Sequence, residues 1–237
     1  AAYTFVDKAE KEPNLVFKTN VAATKFLAEK SEKLGIILMQ LSTDYVFDGL
    51  KKGAYTESDK ANPKSVYGKS KYDAEEAVRE FNPKHIILRT SWVYSLRGKN
   101  FLTTILDMAK NKDSFGIVTD QIGSPTSAIF IANTILEITK KIDQIKKNNL
   151  YGIYNLTCSG SASWFDFAKK IILYAQEGEL NLKSTLESIK PINTSDLITL
   201  ASRPKNSILS NQKLVKTFGI NCPEWQNELK SIMSDMT

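Results

Sequence analysis

Ile36-Ile37-Leu38-Met39-Gln40-Leu41 leads without a break into Ser42-Thr43-Asp44-Tyr45-Val46-Phe47, and about two dozen residues on, Val66-Tyr67-Gly68-Lys69-Ser70-Lys71 opens a stretch of helical spacing. The apolar run behind Gly35 predicts a buried parallel strand over residues 36–41, which delivers the hydroxyls of Ser42 and Thr43 and the carboxylate of Asp44 to its carboxyl end. Open α/β sheets place their ligands there. Tyr67 and Lys71 are four residues apart, so in a helix over residues 63–81 both side chains leave one face. A phenol beside an ammonium, facing strand-end hydroxyls, is an arrangement for donating a proton. Free tyrosine, with a pKa of about 10, is a poor base at neutrality, and a fixed positive charge nearby lowers that value. Lys71 is therefore expected to bring Tyr67 into range for acid–base work near pH 7. A lysine-rich chain with nine tyrosines yields about one Tyr-x-x-x-Lys by chance. Context gives the pair its weight: no other exists in the chain, it opens a helix, and it follows the strand-end Ser-Thr-Asp.

Outward from this stretch the pattern alternates. Pro13 suits a helix's first turn, and Leu15, Thr19, Ala22, Ala23, Phe26, Leu27 and Leu34 recur at helical spacing up to Gly35. The helix from Lys64 buries Ala74, Ala77, Val78 and Phe81 and stops at Asn82-Pro83. His85-Ile86-Ile87-Leu88-Arg89 predicts the next parallel strand, bringing Thr90, Ser91 and Trp92 to the same sheet edge. His85, the single histidine, falls at the far end from the site, which argues against histidine acid–base chemistry and a zinc centre. A helix over 100–110, a strand over 116–119, the tight turn Asp120-Gln121-Ile122-Gly123-Ser124-Pro125-Thr126, a helix carrying Ala128, Ile131, Ala132, Ile135 and Ile138, and a strand over 151–156 follow. Ser163-Trp164-Phe165-Asp166 reads as a capping box opening a helix. Beyond it come a strand over 189–193, Ala201-Ser202-Arg203-Pro204, and an amphipathic helix over 225–233. Arg203, one of four arginines, offers a bidentate fork suited to diphosphate oxygens; a surface salt bridge is the plainer use of the same group. Strands alternating with helices predict a parallel α/β sheet over residues 1–160, with a smaller substrate-side domain over 161–237.

The segments Ser42 to Phe47, Val66 to Lys71, Arg89-Thr90-Ser91-Trp92-Val93-Tyr94, Asp120 to Thr126 and Ala201 to Pro204, in this order, resemble the dTDP-4-dehydrorhamnose reductases, extended short-chain dehydrogenase/reductases with a Rossmann-like sheet. The resemblance implies reduction of a nucleotide-sugar C4 ketone to dTDP-L-rhamnose with NADPH or NADH. It makes Tyr67 the proton donor, Lys71 the residue that holds the nicotinamide ribose and tunes Tyr67, Thr43 the hydrogen-bond partner of the keto oxygen, and Trp92 a wall of the sugar site. Ala1, Ala2 and Tyr3, with Ser42, would run beside the dinucleotide, and Asp44 belongs with the catalytic group. Related alternatives are another nucleotide-sugar epimerase, dehydratase or reductase, or a non-catalytic relative like the regulatory β subunit of methionine adenosyltransferase. Two departures stand out. The glycine-rich strand–turn–helix that cradles a pyrophosphate is absent, so the chain is expected to be a truncated product that neither holds a dinucleotide tightly nor turns over, and that tends to associate. Where some members carry an acidic residue that bridges a dimer through magnesium, this chain has Ile129, which offers no oxygen ligand, so no magnesium-bridged dimer is expected.

With 237 residues, 42% hydrophobic and 24% charged, the composition is that of an ordinary globular protein. No apolar run reaches the length of a membrane span, no charged-then-apolar leader opens the sequence, and two cysteines, Cys158 and Cys222, have neither metal nor disulfide-framework spacing; a reducing cytoplasm is expected, with no membrane partner. The net charge of +6 comes from dispersed lysines, without the basic block or aromatic-interleaved patch of a nucleic-acid surface, though it suits an anionic nucleotide.

Overall fold

The structure is a computed structural model that describes residues 2–142 and 150–236. Two short helices, α1 (Val6–Ala9) and α2 (Pro13–Phe17), lead through a π-helical turn into α3 (Ala23–Lys33). Then come β1 (Leu38–Thr43), α4 (Val66–Phe81), β2 (His85–Thr90), β3 (Val93–Tyr94), α5 (Phe101–Asn111), β4 (Phe115–Val118), β5 (Ile122–Gly123), β6 (Thr126–Ser127) and α6 (Ala128–Ile142). The rest is β7 (Gly152–Asn155), β8 (Ala162–Ser163), α7 (Trp164–Glu177), β9 (Ile189–Ile192), β10 (Asn206–Ser207), α8 (Gln212–Phe218) and α9 (Trp225–Ser234).

β1, β2 and β7 form a parallel sheet in that order, paired in register from Leu38 opposite His85 to Thr43 opposite Thr90. β1 therefore starts two residues later than hydropathy suggests and includes Ser42 and Thr43. Ile36 is still closing the preceding helix, its N–H bonded to the Ser31 carbonyl, and strand pairing begins only when Leu38 N–H reaches the carbonyl of Lys84. All six residues of β2 are buried, as expected for a central parallel strand. On one face Ile87 packs with Ala28 of α3 and Val78 of α4; on the other, Ile86 and Leu88 meet Ile131 and Ile138 of α6 and Leu214 and Phe218 of α8. Helices thus cover both faces, the layer arrangement the alternating pattern implies.

A second core gathers Leu102 and Ile105 of α5, Phe115 and Ile117 of β4, Phe167 and Ile171 of α7, Ile189 of β9, and Trp225 and Leu229 of α9. Its strands form three small sheets: β10-β5-β8, β3-β6, and β4 beside β9. The two cores interleave in sequence. α5 and β4 precede residue 160 yet pack with the later core, while α8 comes after it and packs under the main sheet. No single cut separates them.

Candidate active site

The site forms where β1 ends and α4 begins. Thr43 accepts the Tyr45 N–H (3.2 Å) and so caps a 3₁₀ turn, Asp44–Val46. α4 starts at Val66 because Ser65 caps it, accepting the Gly68 N–H (3.1 Å), while the Glu10 carboxylate takes the Val66 N–H (2.8 Å). Gly68 allows the two elements to touch: a Cβ there would stand 2.3 Å from the Tyr45 carbonyl oxygen. This close approach carries Tyr67, one residue earlier on the helix, against Tyr45, ring centroids 5.6 Å apart, and toward the Thr43 hydroxyl.

Between them lies a cavity of about 530 Å³, lined by Ser42, Thr43, Asp44, Tyr67, Trp92 and Trp164 among others. Two roomier clefts lie elsewhere and hold none of these groups; the chemistry, not the volume, marks the site. A smaller chamber of about 250 Å³ shares Tyr45, Phe101 and Trp164 with it and extends to Arg203, Gln121 and Leu197. The wall between the two is aromatic. Trp92 and Trp164 stack with centroids 3.5 Å apart and planes 6° from parallel, and Phe101 lies 4.3 Å from Trp164. Trp92 reaches that position at φ 48°, a conformation a bulky residue adopts only at a cost of about 1–3 kcal/mol, borne where the surroundings fix it. The turn after β4 does the fixing. Gly123 leaves room for the indole, which a Cβ would approach to 2.4 Å, and Gln121 accepts the Trp164 indole N–H (3.2 Å). Asp120 receives the Thr194 N–H (2.8 Å) and the Ser124 hydroxyl reaches the Gly160 carbonyl (2.7 Å), so the segment from 120 to 126 is the hub on which the site's wall is assembled.

The electrostatics differ from the sequence expectation in one respect. Tyr67 is not brought toward neutrality: burial of its hydroxyl pushes it up to about 12, with Asp44 adding to the rise and Thr43 opposing it. The reason is where Lys71 points. Its ammonium is buried and donates to the Leu41 carbonyl (2.7 Å), one residue before Ser42, rather than to the phenol. Burial lowers Lys71 and the charge of Glu75 opposes that. Asp44 is buried with Oδ2 unpartnered, and burial raises it to about 6 against the hydroxyls of Ser207 and Thr43. At neutral pH Tyr67 keeps its proton.

The remaining sequence-derived residues fall as follows. Ser42 lines the cavity, yet its hydroxyl donates to Glu75 (2.5 Å). Tyr3 is tied to α4 through Asn20, which accepts the Tyr3 N–H (2.7 Å) and donates to Ser70 (2.9 Å); its own hydroxyl goes to Glu12 (2.7 Å). Ala2 precedes it, exposed, and Ala1 lies outside the described residues. Arg203 turns its fork to Asp7, Nη2 to Oδ2 at 2.6 Å, the salt-bridge use of the group, while still bordering the smaller chamber. Ile129 is half exposed on α6. Sequence reasoning missed Trp164 and Phe101 as wall residues and Glu75 behind Lys71. Trp164 stands inside a capping box whose bonds run between Ser163 and Asp166 and give no signal for it; Glu75 is the next member of the Tyr67, Lys71 stripe at spacing four, the signal by which it could be found.

A Tyr-x-x-x-Lys helix packed under strand-end hydroxyls of a parallel sheet is the arrangement of the short-chain dehydrogenase/reductase class. More closely, residues 1–237 match the model of the RmlD substrate binding domain, and the chain belongs to that family. It is 42% identical over 232 residues to a dTDP-4-dehydrorhamnose reductase of Aggregatibacter actinomycetemcomitans, covering 98% of this chain and 78% of the relative. Among solved structures, a dTDP-4-dehydrorhamnose reductase from Clostridium acetobutylicum superposes with a TM-score of 0.89 at 38% identity, covering all of this chain and 79% of that one. The enzyme from Bacillus anthracis, solved in complex with NADP, gives 0.87 at 37% identity, covering 99% and 78%.

Proposed function

We propose that the site of this chain serves the reduction of the C4 ketone of dTDP-4-dehydro-L-rhamnose to dTDP-L-rhamnose, with NADPH as reductant. The observation that carries the reading is Tyr67, protonated at neutral pH and held beside Thr43 in a cavity whose far wall is a tryptophan pair. Family membership supplies the substrate, and the NADP-bound relative favours the phosphorylated nicotinamide. The donor set fits the nicotinamide end of such a cofactor: the Lys71 ammonium uses one N–H on the Leu41 carbonyl and keeps two for ribose hydroxyls. When bound, the cofactor supplies a hydride to C4. The protein's part is to place and protonate. Tyr67 gives its proton to the ketone oxygen as negative charge develops there, and Thr43 orients that oxygen. The stacked indoles give the deoxy-hexose an apolar wall, and Arg203, released from Asp7, offers its fork to the diphosphate. In this reading the sheet of β1, β2 and β7 with α4 is the dinucleotide side, and the second core brings the substrate side through Trp164, with Arg203 at the rim of the smaller chamber.

The test is turnover of NADPH with dTDP-4-dehydro-L-rhamnose, compared with Tyr67→Phe. Losing the phenol should cut kcat by about 10²–10⁴-fold while substrate affinity holds. Near-normal turnover in the variant would remove Tyr67 from the chemistry.

A further inference from the structure

Tyr67, Lys71 and Glu75 follow one another at single-turn spacing on the buried face of α4. Glu75 has no solvent exposure. Its Oε1 accepts the Ser42 hydroxyl of β1 (2.5 Å) and Nε of Arg89 on β2 (2.9 Å), and its Oε2 accepts Nη2 of Arg89 (2.5 Å). Arg89 is itself buried, its guanidinium 5.0 Å from the Phe47 ring and its Nη1 without a partner. Burying two ions costs about several kcal/mol each, and their attraction only offsets this when geometry is good, so apolar side chains of the same volume would hold the fold at least as well. Stability therefore explains this pair poorly, more so with one guanidinium nitrogen left unsatisfied.

Position explains it better. Through Glu75 the helix that carries Tyr67 is bonded to both strands whose ends make the site. The charged and titratable groups facing it are Arg89 from β2 and Lys71 from its own helix, with Ser42 from β1 completing the shell; Lys71 faces Glu75 and the Leu41 carbonyl. An ammonium buried over a carbonyl needs a negative charge close by to stay charged.

We propose that Glu75, clamped by Arg89, is a positioning residue: it keeps Lys71 an ammonium and pins the Ser42–Thr43 strand end beneath Tyr67. Its consequence for turnover rests on the reductase reading; its consequence for Lys71 does not. The experiment is a pH titration of the full chain labelled at the lysine ε-carbon, followed by NMR, with Lys71→Arg identifying the resonance. Glu75→Gln should move the Lys71 midpoint to lower pH. Because that change leaves Arg89 unpaired, the double variant Glu75→Gln/Arg89→Met, which removes both members of the ion pair, should show a smaller movement in the same direction in a fully folded protein. Glu75→Asp, which keeps the charge, should restore the midpoint. In the kinetic arm the alkaline limb of kcat/KM should move to lower pH in the Gln variants and return with Asp. A folded variant in which the Lys71 midpoint stays where it was overturns the proposal and leaves Glu75 a packing residue. If the unaltered chain turns over no keto-sugar nucleotide, the functional reading fails, while the NMR titration still decides on Glu75.

Discussion

Asp44→Asn isolates one buried carboxyl, and its effect follows from the geometry. Asp44 is buried beside the cavity with Oδ2 unpartnered, and burial lifts its carboxyl from 3.8 to about 6. Between those two values the folded chain holds a proton that the unfolded chain has released. The sign follows: the contribution to stability is complete below about pH 4 and is lost as pH rises through about 6. At 1.36 kcal/mol per pH unit, the interval from 3.8 to about 6 corresponds to about 3 kcal/mol. Asparagine has nearly the same shape and does not ionise. Its constant offset is set by how its amide finds partners, but relative to the unaltered chain the variant should gain about 3 kcal/mol between pH 4 and pH 8. Urea unfolding of both proteins at each pH gives the difference directly, since distant titrating groups cancel between them. A difference that is flat from pH 4 to pH 8 would mean that Asp44 is solvated or partnered in solution, and the account of the site's electrostatics would fail with it.

Gly68→Ala should uncouple α4 from the Asp44–Val46 turn. The added carbon lies 2.3 Å from the Tyr45 carbonyl oxygen, a backbone atom that cannot swing away, so a loss of about 1–3 kcal/mol in stability should accompany a larger loss of turnover; a variant of unchanged stability and activity would show that the contact is loose. Arg203→Ala should raise the KM for the sugar nucleotide, and Asp7→Asn, which frees the Arg203 fork, should lower it; the pair is partly exposed, so neither should cost more than about 1 kcal/mol in stability. If Asp7→Asn still changes KM in the Arg203→Ala background, competition for the fork is not the mechanism.

What the sequence made legible is what depends on local pattern. The strand run before Ser42, the Pro13 start, the Ser163 cap and the alternation of strands and helices each follow from neighbours in the chain, and the elements so read fall within about three residues of expectation, while α8 has no counterpart in that reading. Tyr67 and Lys71 could be placed on one helix face for the same reason. What Lys71 does from there could not, because the Leu41 carbonyl that captures its ammonium lies 30 residues away and is reached only once β1 and α4 pack. The same limit hid the tryptophan wall: Trp92 and Trp164 meet because Gly123 clears a space and Gln121 holds an indole N–H, contacts that span three separated segments. Arg203 shows the converse, a residue whose chemistry was read from type alone and whose partner, Asp7, comes from the other end of the chain.

The interleaving of the two cores bears on how such a site can be both stiff and accessible. Tyr67 and Thr43 stand on the sheet core, whereas Trp164, Phe101 and the hub segment from 120 to 126 belong with the second. Were the two joined by one linker, the cavity between them would open by hinge motion at little cost. Instead β2 runs directly into Ser91 and Trp92, whose carbonyl accepts the Thr126 N–H (3.2 Å), and the Ser91 hydroxyl reaches the Ser124 carbonyl (3.0 Å). Any separation of the cores must pull on that crossing, where Trp92 already sits at φ 48°. The tryptophan wall is thereby fixed relative to Tyr67. The contact free to yield is the one between Asp7 and Arg203, solvent-facing and worth little, at the rim of the smaller chamber. In the proposed reading a diphosphate would take the place of Asp7 on the Arg203 fork, and that exchange would open the rim without disturbing the wall.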